Sequence, residues 1–370
     1  MKIAFVSDWF LPRLGGIELQ MRDLAQALAD RGHEVHIVCG VAGDATLDGL
    51  PVHRLPGFRL PGFGIAVTPG VFAALRRTID EGGYDLVHVH AGNVAPIAHH
   101  AMQHCIRRRI PCVASFHSVL KYYDVPLMLL DALHGYSRSA IRMTAVSTVA
   151  AAAMRPLVKH KPVAVIANGI DLAWWRNDDP DRVARPAGPV EFVSVTRLQK
   201  RKRARWLVKA FARAIDGLPA DAARLTIVGD GDEIGAIAAI IRRGGLADRV
   251  RLAGRQPREA IRDLLHRSDV FVLASRLEAF GIAALEARAA GLPVVTMAQS
   301  GARDFLTDGQ DALLASDDRE LAGHLRRIIL DVGLRRRLSE AASRPLPGVD
   351  WTDIVPLFEA EYRSAMKDAG

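Results

Sequence analysis

Short runs rich in β-branched residues, apolar on both faces, alternate with amphipathic helical patterns through most of the chain, and that alternation leaves little choice of fold. A strand that is apolar on both sides and flanked by helices belongs in a parallel sheet covered on each face. Lys2–Ser7, Glu34–Cys39, Asp85–Val89, Pro111–Phe116, Met143–Val146 and Val163–Ile166 read as strands. The clearest helices among them span Gly16–Arg31 and Val94–Arg109. After Asn168-Gly169-Ile170-Asp171 comes a polar stretch, Arg176–Pro189, whose three Asp and three Pro mark a linker. The pattern then restarts, with strands expected at Val190–Val195, Arg224–Val228, Val250–Leu252, Val270–Leu273 and Pro293–Met297. No residue-level repeat relates the halves, and at 370 residues each half is long enough to bury its own core. The expectation is an α/β chain of two doubly wound, Rossmann-like domains, residues 1–175 and 186–349, facing across a cleft. Ligands of such sheets bind beyond the C-terminal ends of the strands. From Asp350 onward, Trp351, Ile354, Leu357, Phe358 and Tyr362 recur at helical spacing. They predict a terminal helix over residues 350–370 that packs its aromatic stripe, with the first domain as one place for it.

Composition narrows the class but not the partner. A net charge of +8 and a pI near 9.7 suit anionic partners, whether nucleotide-sugars, nucleic acid or acidic lipid. Three cysteines, Cys39, Cys105 and Cys112, form no C-x-x-C pair and fit a reduced, cytoplasmic compartment. The N-terminus has one lysine, five uncharged residues and then Asp8, too short a run for a secretory signal. No run of 18 apolar residues is free of charge or of interrupting Gly and Pro, so no membrane span is expected.

The densest chemistry lies in Ser275-Arg276-Leu277-Glu278-Ala279-Phe280-Gly281-Ile282-Ala283-Ala284-Leu285-Glu286-Ala287. Two carboxylates in an apolar run need partners. Gly281 argues against one continuous helix, so Glu278 is placed on the loop after a strand, Gly281 and Ile282 at a helix start, and Glu286 one turn further in. A carboxylate, free backbone N–H groups and a second carboxylate around one helix N-terminus suit a ligand with hydroxyls, a phosphate and a ribose. The competing reading is a capping box, Ser275-x-x-Glu278. Upstream, Arg197, Lys200, Arg201, Lys202 and Arg203 crowd the C-terminal end of the restart strand. A solvated charge run is the ordinary reading, but the position favours Arg197 and Lys202 as a diphosphate clamp, with Lys200, Arg201 and Arg203 left to the surface. Gly229-x-Gly231 marks a tight strand-to-helix turn and lacks the third glycine of a dinucleotide site. In the first half, Gly15 and Gly16 open a helix where backbone N–H groups can approach a phosphate. His117 closes a strand at the same kind of edge. His99, His100 and His104 form H-H-x-x-x-H, a poor zinc site without a third ligand type in register. His88 and His90 fit simple alternation at a strand end.

Together these residues resemble the family-four retaining glycosyltransferases of the GT-B fold. The resemblance rests on Glu278-x7-Glu286 with Phe280-Gly281 and Leu285-Glu286-Ala287, on Arg197 with Lys202, on Gly229-x-Gly231, on Gly15-Gly16-x-Glu18 and on Asn168-Gly169-x-Asp171. It spans most of the chain in the family's order. It implies that Glu286 binds the nucleotide ribose, Glu278 the donor-sugar hydroxyls, and Arg197 and Lys202 the diphosphate leaving group. By the same resemblance Gly15 and Gly16 lie against the phosphates, and His117 matches a histidine near the transferring sugar. The chain departs from the pattern at Ala279, Arg203 and Thr196, each in place of a glycine. It also departs at Ser300-Gly301, where a glycine pair is usual, with Asp304 as the acidic residue beyond, which blurs the identity of the sugar.

The implied activity is retaining transfer of a hexose-type sugar from a nucleoside-diphosphate sugar to an acceptor hydroxyl, in glycolipid, polysaccharide or cell-envelope glycan synthesis. No cofactor is expected, because cations can serve the diphosphate in place of a metal. The D-x-D strings Asp179-Pro180-Asp181 and Asp230-Gly231-Asp232 fall in the linker and in the glycine turn, and neither makes a strong metal site. A glycoside hydrolase using Glu278 and Glu286 would leave the cations and glycines unexplained. An epimerase or a non-catalytic nucleotide-sugar binding protein of the same fold remains the alternative. Nucleic-acid binding ranks last, since the cations are not interleaved with aromatics. The acceptor is expected to be a sugar or lipid-linked. Leu55–Ala74, with Phe58-Arg59-Leu60-Pro61-Gly62-Phe63-Gly64, and Tyr122–Leu130, beside Arg107-Arg108-Arg109, could dock a peripheral protein on the inner face of an anionic membrane, or simply pack.

Overall fold

The computed structural model describes residues 1–13, 15–57, 68–120, 124–177, 179 and 188–369. It divides into two compact units, Met1–Ile170 with Pro347–Gly370, and Asp171–Leu346.

The first unit is built on an eight-stranded sheet. Its strands are β1 (Lys2–Ser7), β2 (Glu34–Cys39), β3 (Thr46–Leu47), β4 (Leu50–Arg54), β5 (Leu86–Ala91), β6 (Cys112–Phe116), β7 (Arg142–Ala145) and β8 (Val163–Val165). Their order is β3-β4-β2-β1-β5-β6-β7-β8, parallel except for the β3–β4 pair. The order reverses direction between β1 and β5, the kind of switch point where doubly wound sheets open a ligand crevice. Helices α1 (Gly16–Ala29), α2 (Pro69–Glu81), α3 (Pro96–Arg108), α4 (Asp124–His134), α5 (Thr148–Ala153) and α6 (Arg155–Val158) connect the strands. β5 and β6 are buried along their whole length, as the two-sided apolar pattern requires.

In the second unit α7 (Leu172–Trp175) precedes a six-stranded, wholly parallel sheet. Its strands are β9 (Val190–Val195), β10 (Ala223–Val228), β11 (Val250–Gly254), β12 (Val270–Leu273), β13 (Val294–Met297) and β14 (Ala312–Ala315). The order is β11-β10-β9-β12-β13-β14, with its switch point between β9 and β12. Helices α8 (Ala204–Ala214), α9 (Ile234–Arg243), α10 (Arg258–Arg267), α11 (Ile282–Ala289), α12 (Asp318–Leu330) and α13 (Val332–Ala342) cover it. The buried guanidinium of Arg288 on α11 holds Asp311 at 2.7 Å and bonds the carbonyls of Ala341, Ala342 and Arg344 at the end of α13.

The terminal helix, α14 (Trp351–Ala369), belongs to the first unit. Ile354, Val355, Phe358, Tyr362 and Ala365 join the same core as Ile3, Phe5, Met21 and Val113. Leu357, expected in that stripe, is half exposed because the helical phase turns it outward. Gly169 lies under Trp351, where a Cβ would come 2.4 Å from the indole. Residues 171–175, expected in the first domain, fall in the second unit, where Trp175 is fully buried and α7 packs on α11. Of the expected linker, residues 178 and 180–187 lie outside the described residues. Three strands had no clear signal: β3 and β4, interrupted by turn residues, and β14, whose Ala-Leu-Leu-Ala run has no β-branched or aromatic residue.

Candidate functional site

In the second unit the loops after β9 and β12 meet at the switch point. Lys202 ends a 3-10 turn after β9, and its Nζ lies 2.7 Å from Glu278 Oε2, with side-chain exposures of 15% and 13%. Ser275 does not cap α11. Its buried hydroxyl donates to the Lys202 carbonyl at 3.2 Å and ties the two loops together, so the capping-box reading is set aside. Instead α11 is opened by Gly281, left-handed at φ +94°, with no side-chain cap. A Cβ at Gly281 would come 3.3 Å from that of Ala302. The Glu278 carbonyl accepts the Gly301 N–H at 2.9 Å, which fixes the loop ahead of the helix. Ile282 thus begins the helix, no side chain among the described residues bonds its first N–H groups, and Glu286 stands half-buried on the next turn. The ring of Phe280 is buried against Phe305, centroids 5.0 Å apart, so only its backbone can meet a ligand there.

Arg197 is half-buried on the segment after β9. That segment lies directly on the glycine turn after β10. Leu198 donates to the Asp230 carbonyl at 2.8 Å, and Glu233 donates to the Leu198 carbonyl at 2.9 Å. A Cβ on Gly229 would sit 1.9 Å from the Thr196 oxygen, and one on Gly231 2.5 Å from that of Leu198. Both glycines are therefore needed for the close passage of the Arg197 segment. Arg203, expected at the surface, instead anchors the site. It takes the left-handed conformation at φ +62° and its guanidinium grips both Asp318 oxygens at 2.6 Å and the Ala274 carbonyl at 3.2 Å. Lys200 and Arg201 are exposed.

In the first unit the chemistry again gathers at the C-terminal edge of the sheet. Gly15 is the extended N-cap of α1, without a side-chain cap. Leu14 lies outside the described residues. Glu18, fully buried one turn in, is paired with Arg13, whose guanidinium stacks 4.0 Å above the Trp9 ring. Asp8, one residue past β1, accepts the N–H groups of Ile97 at 2.9 Å and Ala98 at 3.1 Å and caps α3 from a distance. Burial outweighs these bonds and pushes its carboxyl up to about 7. No local signal marks Asp8, because its partners lie 89 residues on.

His117 follows β6 and extends the ladder by donating its N–H to the Ala91 carbonyl at 3.0 Å. Its ring Nε2 is 3.0 Å from His90 Nδ1, and the rings stack 5.2 Å apart. Burial holds the His117 imidazole down to about 4. His88 and His90 are not mere strand-end alternation. Both are buried, and His88 bridges Tyr362 Oη at 2.8 Å and Ser115 Oγ at 2.7 Å. His99, His100 and His104 find separate partners in Tyr136, Arg76 and Asp80. Among the described residues no group of three potential ligands could hold a metal.

Comparison with known proteins places both halves of the chain. Residues 176–344 match the family described as glycosyl transferases group 1, and residues 14–174 match Glycosyltransferase Family 4. N-acetyl-alpha-D-glucosaminyl L-malate synthase of Bacillus anthracis is 25% identical over 378 residues, 96% of each chain. A D-inositol 3-phosphate glycosyltransferase of Actinosynnema mirum is 29% identical, covering 95% of this chain and 92% of that protein. Among solved structures, Anabaena HepE in complex with UDP and glucose superposes with a TM-score of 0.78 at 21% identity, covering 97% of this chain and 98% of that one. Sucrose-phosphate synthase from Thermosynechococcus elongatus does so at 0.79 and 22%, covering 99% of each. These structures share the GT-B fold of two Rossmann-like units. With both halves matched in order, the chain belongs to the family-4, group 1 glycosyltransferases.

Proposed function

We propose that this glycosyltransferase moves a hexose-type sugar, with retention, from a nucleoside-diphosphate sugar to an acceptor hydroxyl. The observation that carries the reading is the Lys202–Glu278 pair beside a helix N-terminus opened by Gly281. One ammonium hydrogen serves Glu278, and the others are left for phosphate oxygens. Arg197 and Lys202 stabilise the diphosphate as charge develops on it, the uncapped N–H groups at Ile282 add to that field, and Glu286 takes the ribose. Glu278 holds donor-sugar hydroxyls. The bond from the anomeric carbon to the diphosphate oxygen breaks with its electron pair going to phosphate. The acceptor oxygen bonds to the same face, and its proton passes to the departing phosphate. These cations do a metal's electrostatic task, so activity should survive a chelator.

The first unit takes the acceptor in this reading, with His117 near the transferring sugar and Gly15 and Gly16 against the phosphates. Relatives are named for malate, for D-inositol 3-phosphate and, in Arabidopsis thaliana, for phosphatidylinositol. They support an anionic acceptor, small or lipid-linked. Membrane docking is part of the proposal. Val125, Met128, Leu129 and Leu133 are 67%, 56%, 58% and 76% exposed, and their spacing puts them on one face of α4. Residues 58–67 and 122–123, within the expected patches, lie outside the described residues. Among the described residues no helix is long and apolar enough to cross a membrane.

A thermal-shift screen of UDP, GDP, ADP and their sugar conjugates tests the donor site. One nucleotide should raise the midpoint, and Arg197→Ala and Glu286→Ala should abolish the rise. No shift with any of them, in folded protein, sinks the assignment. Product analysis then separates transfer from epimerisation, which needs no acceptor, and from binding without turnover.

A further inference from the structure

We propose that His90 is a positioning residue that, through its ring contact with His117, selects which nitrogen of His117 carries the proton. What that proton does rests on the glycosyl-transfer reading; the selection itself rests on geometry. His90 sits on β5 and is 2% exposed. Its Nδ1 lies 3.0 Å from His117 Nε2 across the parallel β5–β6 pair. The ring is wedged against Phe5 at 4.8 Å and His88 at 4.1 Å, which holds its plane, and the contact with His117 favours the orientation that turns Nδ1 toward that ring. Its second nitrogen, Nε2, is buried with no hydrogen-bond partner among the described residues. The ring lines a cavity of about 10 Å³ shared with Ser115, His117, Thr144 and Asn168. That is the smallest volume that accepts one water, and a buried imidazole nitrogen requires a polar partner.

Burial keeps both rings neutral near pH 7, His117 down to about 4 and His90 well below the ordinary histidine range. A neutral imidazole carries one N–H, so a bond between the two rings links their tautomers. If His90 Nδ1–H donates, His117 Nε2 accepts and its proton is on Nδ1. His90 Nε2 is then a bare acceptor. If His117 Nε2–H donates, His90 carries its proton on Nε2 and His117 Nδ1 is bare. Both rings therefore hold the proton on the same type of nitrogen. The group His90 Nε2 meets in the cavity decides whether His117 offers a donor or an acceptor at Nδ1.

Two-bond ¹H–¹⁵N spectra of the full chain labelled with ¹⁵N-histidine test this directly, with His90→Asn and His117→Asn used to assign the signals. The expected result is one shared tautomer for His90 and His117. Opposite tautomers overturn the proposal. In His90→Phe, which fills the ring's space, the His117 signals should become exchange-averaged. A folded His90→Phe, or His90→Asn where the first does not fold, with His117 signals unchanged also overturns it. With the donor found by thermal shift, folded His90→Phe should lower kcat about 100-fold and leave the donor KM within about twofold. Unchanged kcat refutes the positioning role. Absence of transfer by the wild type with any donor refutes the glycosyl-transfer reading instead, while the spectra still decide whether the tautomers are linked.

Discussion

At the scale of single residues, the second unit's site depends on atoms that are missing. Gly229→Ala would press a methyl into the Thr196 carbonyl at a backbone angle of +138°. The expected loss is roughly 1–3 kcal/mol in urea unfolding, with nucleotide binding weakened because the Arg197 segment must move. Unchanged stability would refute the role assigned to this glycine. Asp8 gives a signed pH effect. Its carboxyl rises from 3.8 to about 7, so between pH 4 and 7 the folded chain holds a proton the unfolded chain has released. Stability from Asp8 therefore falls as pH rises through that window and levels above it. His117 works in the opposite sense. It drops from 6.5 to about 4, so its share is lost as pH falls through that range. The two overlap, which makes the difference between wild type and Asp8→Asn the useful quantity. From pH 4 to 7 wild type should lose on the order of 4 kcal/mol relative to Asp8→Asn. A flat difference would refute the raised carboxyl.

At the scale of elements, α4 and α14 both carry an apolar stripe, and among the described residues only that of α14 is covered. The apolar stripe of α14 enters the first core, and Tyr362 there donates to or accepts from His88 at 2.8 Å. Tyr362→Phe should cost about 1–3 kcal/mol, because it leaves a buried imidazole nitrogen unpaired. A neutral result in unfolding would mean that another group can reach His88. For α4, Leu129→Ser with Leu133→Ser should reduce co-sedimentation with vesicles containing anionic lipid while leaving thermal stability nearly unchanged, since both side chains are exposed. Equal binding of wild type and double variant would remove α4 from the membrane proposal.

At the scale of the whole molecule, each unit carries its own apolar core, and calorimetry should resolve two transitions. Gly229→Ala should lower one of them and so identify the second unit. A nucleotide at about 100 times its Kd adds about 2.7 kcal/mol to the unit that holds it, or roughly 5–10 °C for a unit of this size. That rise should fall on the transition Gly229→Ala lowers. A rise confined to the other would place the nucleotide elsewhere.

Strand and helix identities were legible because they are local. β1, β2, β9 and β12 begin and end at the expected residues, and α11 starts just after Gly281, since two-sided burial and glycine's conformational freedom leave marks within a few positions. The family followed from motifs read in order. Polar partnership was not legible. Asp8 caps a helix 89 residues away, Arg203 meets Asp318 across 115, and His88 meets Tyr362 across 274. Which carboxylate a buried cation or helix end finds depends on the order of strands in the sheet, and hydrophobic periodicity carries no record of that order. The sequence by itself determined two parallel α/β units and the chemical kinds of side chain at their strand ends. Only tertiary structure decided that Lys202 faces Glu278, that His90 holds His117 and that the last helix completes the first core, because each of these contacts is made by the packing of elements far apart in the chain.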